Sequence, residues 1–192
     1  EGSCTEEQVK QMEEDYRQAL EEGDHVLKSL VKKPNDELFV DWTPYLAHDW
    51  QVRADTTYPL EKIQALAQAT NQIPDGFSVQ RQVNKIIDDR VKMAAGVLDG
   101  NWGFGEVMAY ATLLEQGFPV RITGQDVGRG TFSHRHAVLH DQNSAEAYIP
   151  LQNISASQPA FNIFDSFLSE LAVLGFEYGY ATTDPTGLVI WE

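Results

Sequence analysis

Beyond Asn101 the chain alternates segments of helical apolar spacing with short apolar runs, and this alternation restricts its fold more than any other feature. "WGFGEVMAYATLLEQG" predicts a helix that ends at Gly117, and "FPVRITG" predicts a strand directly after it. The apolar runs "AVLH", "AYIPLQNI" and "FNIFDS" follow, then an apolar helix in "FLSELAVLGFEYGYAT" and a strand in "GLVIWE". The pattern predicts an α/β fold, in which a partial, mainly parallel sheet is flanked by helices.

The first hundred residues are predicted to be helical and irregular. Residues 5–33 favour a long amphipathic helix, which a capping box of Thr5 and Gln8 opens and Gly23 divides. Shorter helices are predicted in "PLEKIQALAQATNQIPDG", from Pro59 to before Pro74, and in "SVQRQVNKIIDDRVKMAAG". The intervening segment has no clear period. We expect it to be ordered, with its large aromatic side chains kept from water: Trp42, Tyr45 and Trp50.

Composition excludes several classes of function. The net charge of −15 argues against a nucleic-acid partner, because phosphates would be repelled. The single cysteine, Cys4, provides neither an internal disulfide framework nor a cysteine-based zinc site. No stretch approaches the roughly 18 apolar residues of a membrane span, and no leader opens the chain. We therefore expect no membrane association and a cytoplasmic protein, or a mitochondrial-matrix one if the source is eukaryotic.

A polar run beginning at Gln125, "QDVGRGTFSHRHAVLHD", contains three of the five histidines, His134, His136 and His140. On a strand, the first two would point to the same face and could share a metal with a third ligand. Arg135 stands between them, however, and no second ligand cluster is visible elsewhere. This favours a polar loop whose histidines bind backbone groups or line a ligand cleft, with no metal site.

Glu170 is a second candidate, because it opens a helix that otherwise looks fully buried. A carboxylate in such a place is costly unless it has a partner. The structural alternative is a first-turn glutamate favoured by the helix dipole, with Ser166 or Ser169 as the cap. The pattern leaves both interpretations open, and it does not decide whether Glu177 and Glu106 are buried or exposed.

Four strings of the sequence together resemble the first component of 2-oxoglutarate dehydrogenase, the thiamine-diphosphate-dependent decarboxylating subunit. They are "WTPYLAHDW", "DRVKMAAG", "AYATLLEQGFPVRITGQDVGRGTFSHRHAVLHDQ" and "DSFLSELAVLGFEYGYATTDPTGLVIWE". The resemblance is clearest over residues 90–192. It implies a connector in residues 1–77 and, in 78–192, the N-terminal part of a transketolase-like pyrimidine-binding domain, cut before its end. A cut would also explain why "LVIW", which we expect to be a buried strand, stands one residue before the chain stops.

The resemblance also implies roles for individual residues. Glu170 would be catalytic, as a buried carboxylate that hydrogen-bonds ring nitrogen N1′ of the cofactor's aminopyrimidine. Leu168 would lie against that ring, and Gln125 would also bind the cofactor. His134 and His136 would line the cleft. Thiamine diphosphate would be shared with a preceding domain, and Mg²⁺ would be bound outside these residues.

The same resemblance implies the substrate and the partners. The intact subunit would decarboxylate 2-oxoglutarate in the tricarboxylic acid cycle and pass the succinyl group to the lipoyl-bearing succinyltransferase. It would work as a homodimer in a multienzyme complex with that protein and dihydrolipoyl dehydrogenase. We expect this chain alone to be inactive. The alternatives are a non-catalytic interaction or nucleotide-effector-binding domain of the same architecture and a metal-dependent hydrolase built on the three histidines.

Overall fold

A computed structural model describes residues 4–23, 40–49 and 51–192. The chain divides into two compact units, Glu1–Phe39 and Val40–Glu192. In the first unit, helix α1 spans Glu6–Glu21 and opens with the predicted capping box. Thr5 Oγ1 accepts from the Gln8 N–H at 3.2 Å, and Gln8 Oε1 accepts from the Thr5 N–H at 2.8 Å.

Helix α1 ends before Gly23, the residue at which the sequence predicted a division of the helical run. Gly23 follows it with a φ of +69°, a left-handed conformation that glycine adopts without strain. The proposed second helical piece and Trp50 lie outside the described residues. None of the helices in the described ranges has the length and apolar character that crossing a membrane requires.

In the second unit, the described residues 40–49 and 51–192 form four α-helices and five strands. The helices are α2 (Leu60–Thr70), α3 (Arg81–Ala94), α4 (Trp102–Glu115) and α5 (Glu170–Thr183). The strands are β1 (Val120–Gly124), β2 (Leu139–His140), β3 (Ala147–Tyr148), β4 (Phe161–Asp165) and β5 (Leu188–Trp191). Short 3₁₀ turns occupy Thr43–Tyr45 and Pro150–Gln152.

A parallel sheet organises this unit and confirms the predicted α/β class. Its order is β4-β1-β5, and Ile122 of the central strand aligns with Ile163 on one side and Ile190 on the other. Strands β2 and β3 form a separate antiparallel pair. The apolar core joins β1 and β4 to α4 and includes the fully buried Ile122, Leu114 and Phe161. Helix α2 packs against α3 and α4.

The connector aromatics are not buried as expected. Trp42 is 37% exposed and Tyr45 is 44% exposed. Their rings contact each other edge to face, with centroids 6.3 Å apart, across the 3₁₀ turn. The turn directs these side chains toward one another, so local contact takes the place of core packing.

Two further expectations about burial are wrong. Helix α5 looked fully buried, but its buried residues are only Val173 and Glu177, whereas Leu171 is 81% exposed. Strand β5 looked buried, but it is an edge strand and is partly exposed. Both differences have one cause. The described sheet has three strands, so it covers only one stripe of α5 and one edge of β5. The domain boundary after residue 77 stays a prediction.

Candidate functional site

The carboxyl ends of the parallel strands meet at one edge, where ligand sites of such sheets usually lie. Gln125 follows β1, and its N–H donates to the Glu192 carbonyl at 3.3 Å, directly after β5. The Ser166 N–H, after β4, donates to the Gly124 carbonyl at 2.6 Å. A Cβ at Gly124 would lie 1.8 Å from the Glu192 carbonyl oxygen, so only glycine fits there. The edge is therefore tightly joined by backbone bonds.

Glu170 lies at this edge, but the expectation that it is buried is wrong. It opens α5 and is exposed, because the first turn of the helix extends beyond the strand ends. Gln125 Nε2 donates to Glu170 Oε1 at 3.3 Å. Ser169 Oγ accepts from the Ala172 N–H at 3.4 Å, so the predicted serine cap is confirmed for Ser169. Leu168 is half exposed beside this turn.

The histidine run is a tight loop and not a strand before β2. The N–H groups of Arg135 and His136 both donate to the Arg129 carbonyl at 3.0 Å. A Cβ at Gly130, whose φ is +80°, would lie 2.5 Å from the ring of His134. His136 itself has a φ of 43°, a left-handed conformation uncommon in residues other than glycine.

The loop directs its histidines to different surroundings. Nε2 of His134 lies 3.5 Å from Glu106 Oε2. His136 and His140 instead line a cavity of about 310 Å³ together with Asp165. Burial lowers the pKa of His136, and the charge of Arg90 lowers it further. Within the described ranges, no three acidic, imidazole or thiol groups gather as metal ligands would.

Arg135, which sequence reasoning treated only as an interruption between histidines, anchors the loop. Its side chain is buried, and it donates to both Glu106 oxygens, at 3.0 and 2.7 Å, and to the Val127 carbonyl at 2.8 Å. The Glu192 carboxylate also pairs with it. A glutamate in an otherwise apolar helix, Glu106, was the available signal for this pair.

Neighbouring groups set the electrostatics of this network. Burial raises the pKa of Glu106, but hydrogen bonds from Arg135 and the Tyr110 hydroxyl outweigh it and leave the pKa below its usual range. Burial and the nearby Glu106 charge raise the pKa of Tyr110. Arg90 is buried, which lowers its pKa to about 10, and it donates to the carbonyls of His134 and Arg135. Arg90 and Arg135 thus hold the loop through its backbone and side chains.

A second ion pair lies between the sheet and α5. Arg121 of β1 donates from Nε and Nη2 to the two carboxylate oxygens of Glu177, at 2.7 and 2.8 Å. Glu177 is 3% exposed, which decides that it is a buried acid. The guanidinium carbon lies 4.6 to 5.6 Å from the ring centroids of three aromatic residues. These are Phe164, Phe176 and Tyr180.

Comparison with known proteins names the class of protein domain that this fold and this sheet edge resemble. Residues 100–192 match the family described as "Transketolase, pyrimidine binding domain". The match covers α4, the whole parallel sheet, the histidine loop and α5.

Similarity to individual proteins extends over the whole chain. The chain is 62% identical over 192 residues to the 2-oxoglutarate dehydrogenase E1 component of Azotobacter vinelandii. This match covers 100% of the present chain and 20% of that protein. E1 components of Coxiella burnetii and Haemophilus influenzae are 47% and 46% identical over 98% and 100% of the chain, and each match spans 20% of that protein. Over its whole length the chain is similar to 2-oxoglutarate dehydrogenase E1 components. It spans about a fifth of the length of these relatives.

Proposed function

We propose that this chain supplies the pyrimidine-binding half of the active site of a 2-oxoglutarate dehydrogenase E1 subunit. The observation that carries the proposal is the exposed Glu170 carboxylate, held by Gln125 at the carboxyl edge of a parallel sheet. The match of residues 100–192 to a pyrimidine-binding family supports the same assignment. The intact subunit would decarboxylate 2-oxoglutarate.

Similarity to the E1 components implies thiamine diphosphate as the cofactor, and the residues at the edge fit its aminopyrimidine ring. An aminopyrimidine needs a hydrogen-bonding group for its ring nitrogen and an apolar surface for its faces. Glu170 Oε1 accepts from Gln125, and no hydrogen bond within the described part of the chain occupies its Oε2. Leu168 and Leu171 are exposed apolar side chains beside it.

When bound, thiamine diphosphate supplies an electron sink for the loss of carbon dioxide from a 2-oxo acid. The residues of this chain act on the other end of the cofactor. In our proposal the Glu170 carboxyl group holds a proton at ring nitrogen N1′ as general acid and base. Gln125 fixes one of its oxygens, and Leu168 packs against the ring and excludes water. His134 and His136 border the cleft without an assigned proton-transfer role.

The remaining parts of the assignment belong to the intact protein. We propose that its diphosphate site and Mg²⁺ lie outside residues 1–192 and that the subunit works as a cytoplasmic homodimer. Its partners would be the lipoyl succinyltransferase and dihydrolipoyl dehydrogenase of the tricarboxylic acid cycle complex. The 192-residue chain alone would then lack half of the cofactor site, so measurable ferricyanide-linked turnover of 2-oxoglutarate by it would contradict this division.

The test is the substitution Glu170→Gln in the complete E1 subunit. Removing a general acid–base typically lowers turnover by about 100-fold or more, so we expect ferricyanide-linked decarboxylation of 2-oxoglutarate to fall by at least that factor. Glu146→Gln is the matched control, because Glu146 is an exposed carboxylate before β3, on the separate two-stranded sheet. It should leave turnover unchanged. Full activity in folded Glu170→Gln would reject the assignment.

A further inference from the structure

We propose that the Arg121–Glu177 ion pair is a positioning device for Glu170. In this view the pair fixes the rotation of α5 about its own axis, and with it the direction of the Glu170 carboxylate. The inference rests on the function proposed above for Glu170, and it adds two residues that never touch the cofactor.

The first observation is the stripe through which α5 meets the sheet. The buried residues of α5 are Val173, 2% exposed, and Glu177, 3% exposed. Glu170 precedes them by three and seven residues, and this spacing places all three on one face of an α-helix. Glu170 is therefore the exposed first member of the sheet-facing stripe.

The second observation is that little else fixes this rotation. The other apolar side chains of α5 are largely exposed, and contact with one buried valine is apolar and therefore non-directional. A bidentate arginine–carboxylate pair is directional, because two parallel N–H···O bonds define one plane. Three aromatic rings also pack around the guanidinium of Arg121 and restrict its movement. Turning α5 by one residue would carry Glu177 out of reach of Arg121.

The third observation is that β1 and the residue directly after it contact the α5 stripe at two places. Arg121 holds Glu177, and four residues later Gln125 holds Glu170, seven residues earlier in the helix. Four strand residues span about 13 Å, and seven helix residues span about 10.5 Å. These similar lengths allow both bonds to form at once between elements that run in opposite directions. The buried bond fixes the helix, and the exposed bond then falls at the site.

The experiment uses Glu177→Gln and Arg121→Lys in the complete E1 subunit, measured with saturating thiamine diphosphate. A small misplacement of a catalytic group can cost about 100-fold in rate. We expect Glu177→Gln to lower kcat by about 10- to 100-fold, with the KM for 2-oxoglutarate within about twofold. Arg121→Lys keeps the charge but loses the bidentate geometry, so its kcat should fall less.

A readout without cofactor separates positioning from chemistry. In the cofactor-free subunit, amide hydrogen exchange of residues 168–174, followed by mass spectrometry, should be faster in Glu177→Gln than in the parent protein. Glu115→Gln is the control, because it removes the exposed partner of Lys62, 3.1 Å away, on another helix. That variant should leave both kcat and this exchange unchanged.

The double variant Glu170→Gln/Glu177→Gln decides the mechanism. If Glu177 acts through Glu170, adding Glu177→Gln to Glu170→Gln lowers kcat no further. Normal kcat in Glu177→Gln, or additive losses in the double variant, would overturn the inference while the role of Glu170 stands. Normal activity in Glu170→Gln would instead reject the proposed function. Should Glu177→Gln not fold, normal kcat in folded Arg121→Lys overturns the inference equally.

Discussion

Two glutamates of α5, seven residues apart, stand in opposite environments. Glu177 is buried, and Arg121 binds both of its carboxylate oxygens. Its carboxylate therefore joins α5 to β1 and has no free oxygen for a ligand. Glu170 is exposed, with one oxygen bound by a neutral amide of Gln125. The same residue type thus stands in two settings, and the group bound to each carboxylate distinguishes them. Glu106 is an intermediate case, since it is partly exposed but bound twice by Arg135.

The Glu106–Arg135 pair gives a prediction for stability against pH. The pKa of Glu106 is lower in the folded chain than its ordinary value of 4.5. Its contribution is therefore fully present above that pH and is lost as the pH falls through the lower folded pKa. Glu106→Gln should lower the free energy of unfolding at pH 7 by about 1–3 kcal/mol. The measurement is urea denaturation of parent and variant at several pH values.

The difference between the two proteins should shrink as the pH falls below 4.5, because the parent then loses the same charge. A difference that stays constant down to acid pH would contradict the ion-pair interpretation. A variant as stable as the parent at pH 7 would show that Arg135 relies on Glu192 and the Val127 carbonyl alone.

At the scale of elements, α4 and the histidine loop form one packed joint. The first turn of α4 lies so close to the loop that a Cβ at Gly103 would stand 2.3 Å from the His134 carbonyl oxygen. Arg90 of α3 donates to that same carbonyl at 3.1 Å, and Arg135 of the loop pairs with Glu106 of α4. The loop is consequently held from two helices, and its shape depends on their close approach.

A pair of glycine variants tests this joint. Gly103→Ala must displace the loop or the helix, so we expect it to lower the free energy of unfolding by about 1–3 kcal/mol. Gly105→Ala is the matched control, because a Cβ there meets nothing within 4 Å. It should raise stability by about 0.5–1 kcal/mol, since alanine favours a helix. Equal effects of both substitutions in chemical denaturation would contradict the close packing.

Elements were predictable from the sequence where their signals are local. The Thr5 capping box, the helix opening after Pro59 and the strand after Gly117 all depend on neighbouring residues, and all are confirmed. Burial of α5 and β5 was not predictable, because it depends on how many strands stand beside them. Apolar composition alone could not show that α5 covers the sheet with only one stripe.

At the scale of the whole molecule, the candidate site is made by topology. Gln125 and Glu170 are 45 residues apart, and the parallel sheet brings the ends of β1 and β4 to one edge. No local pattern predicts such a contact, and the resemblance to a known family pointed to both residues only through their roles. The Arg121–Glu177 pair, 56 residues apart, escaped prediction for the same reason. The expected burial of Glu170 was wrong because α5 begins beyond the sheet.

The most direct measurement of the central claim is deuterium exchange at thiazolium C2 of thiamine diphosphate bound to the complete E1 subunit. If Glu170 controls the proton on the aminopyrimidine, Glu170→Gln should slow this exchange by about 100-fold or more while the cofactor remains bound. Exchange at the parent rate in folded, cofactor-saturated Glu170→Gln would contradict the assignment of Glu170.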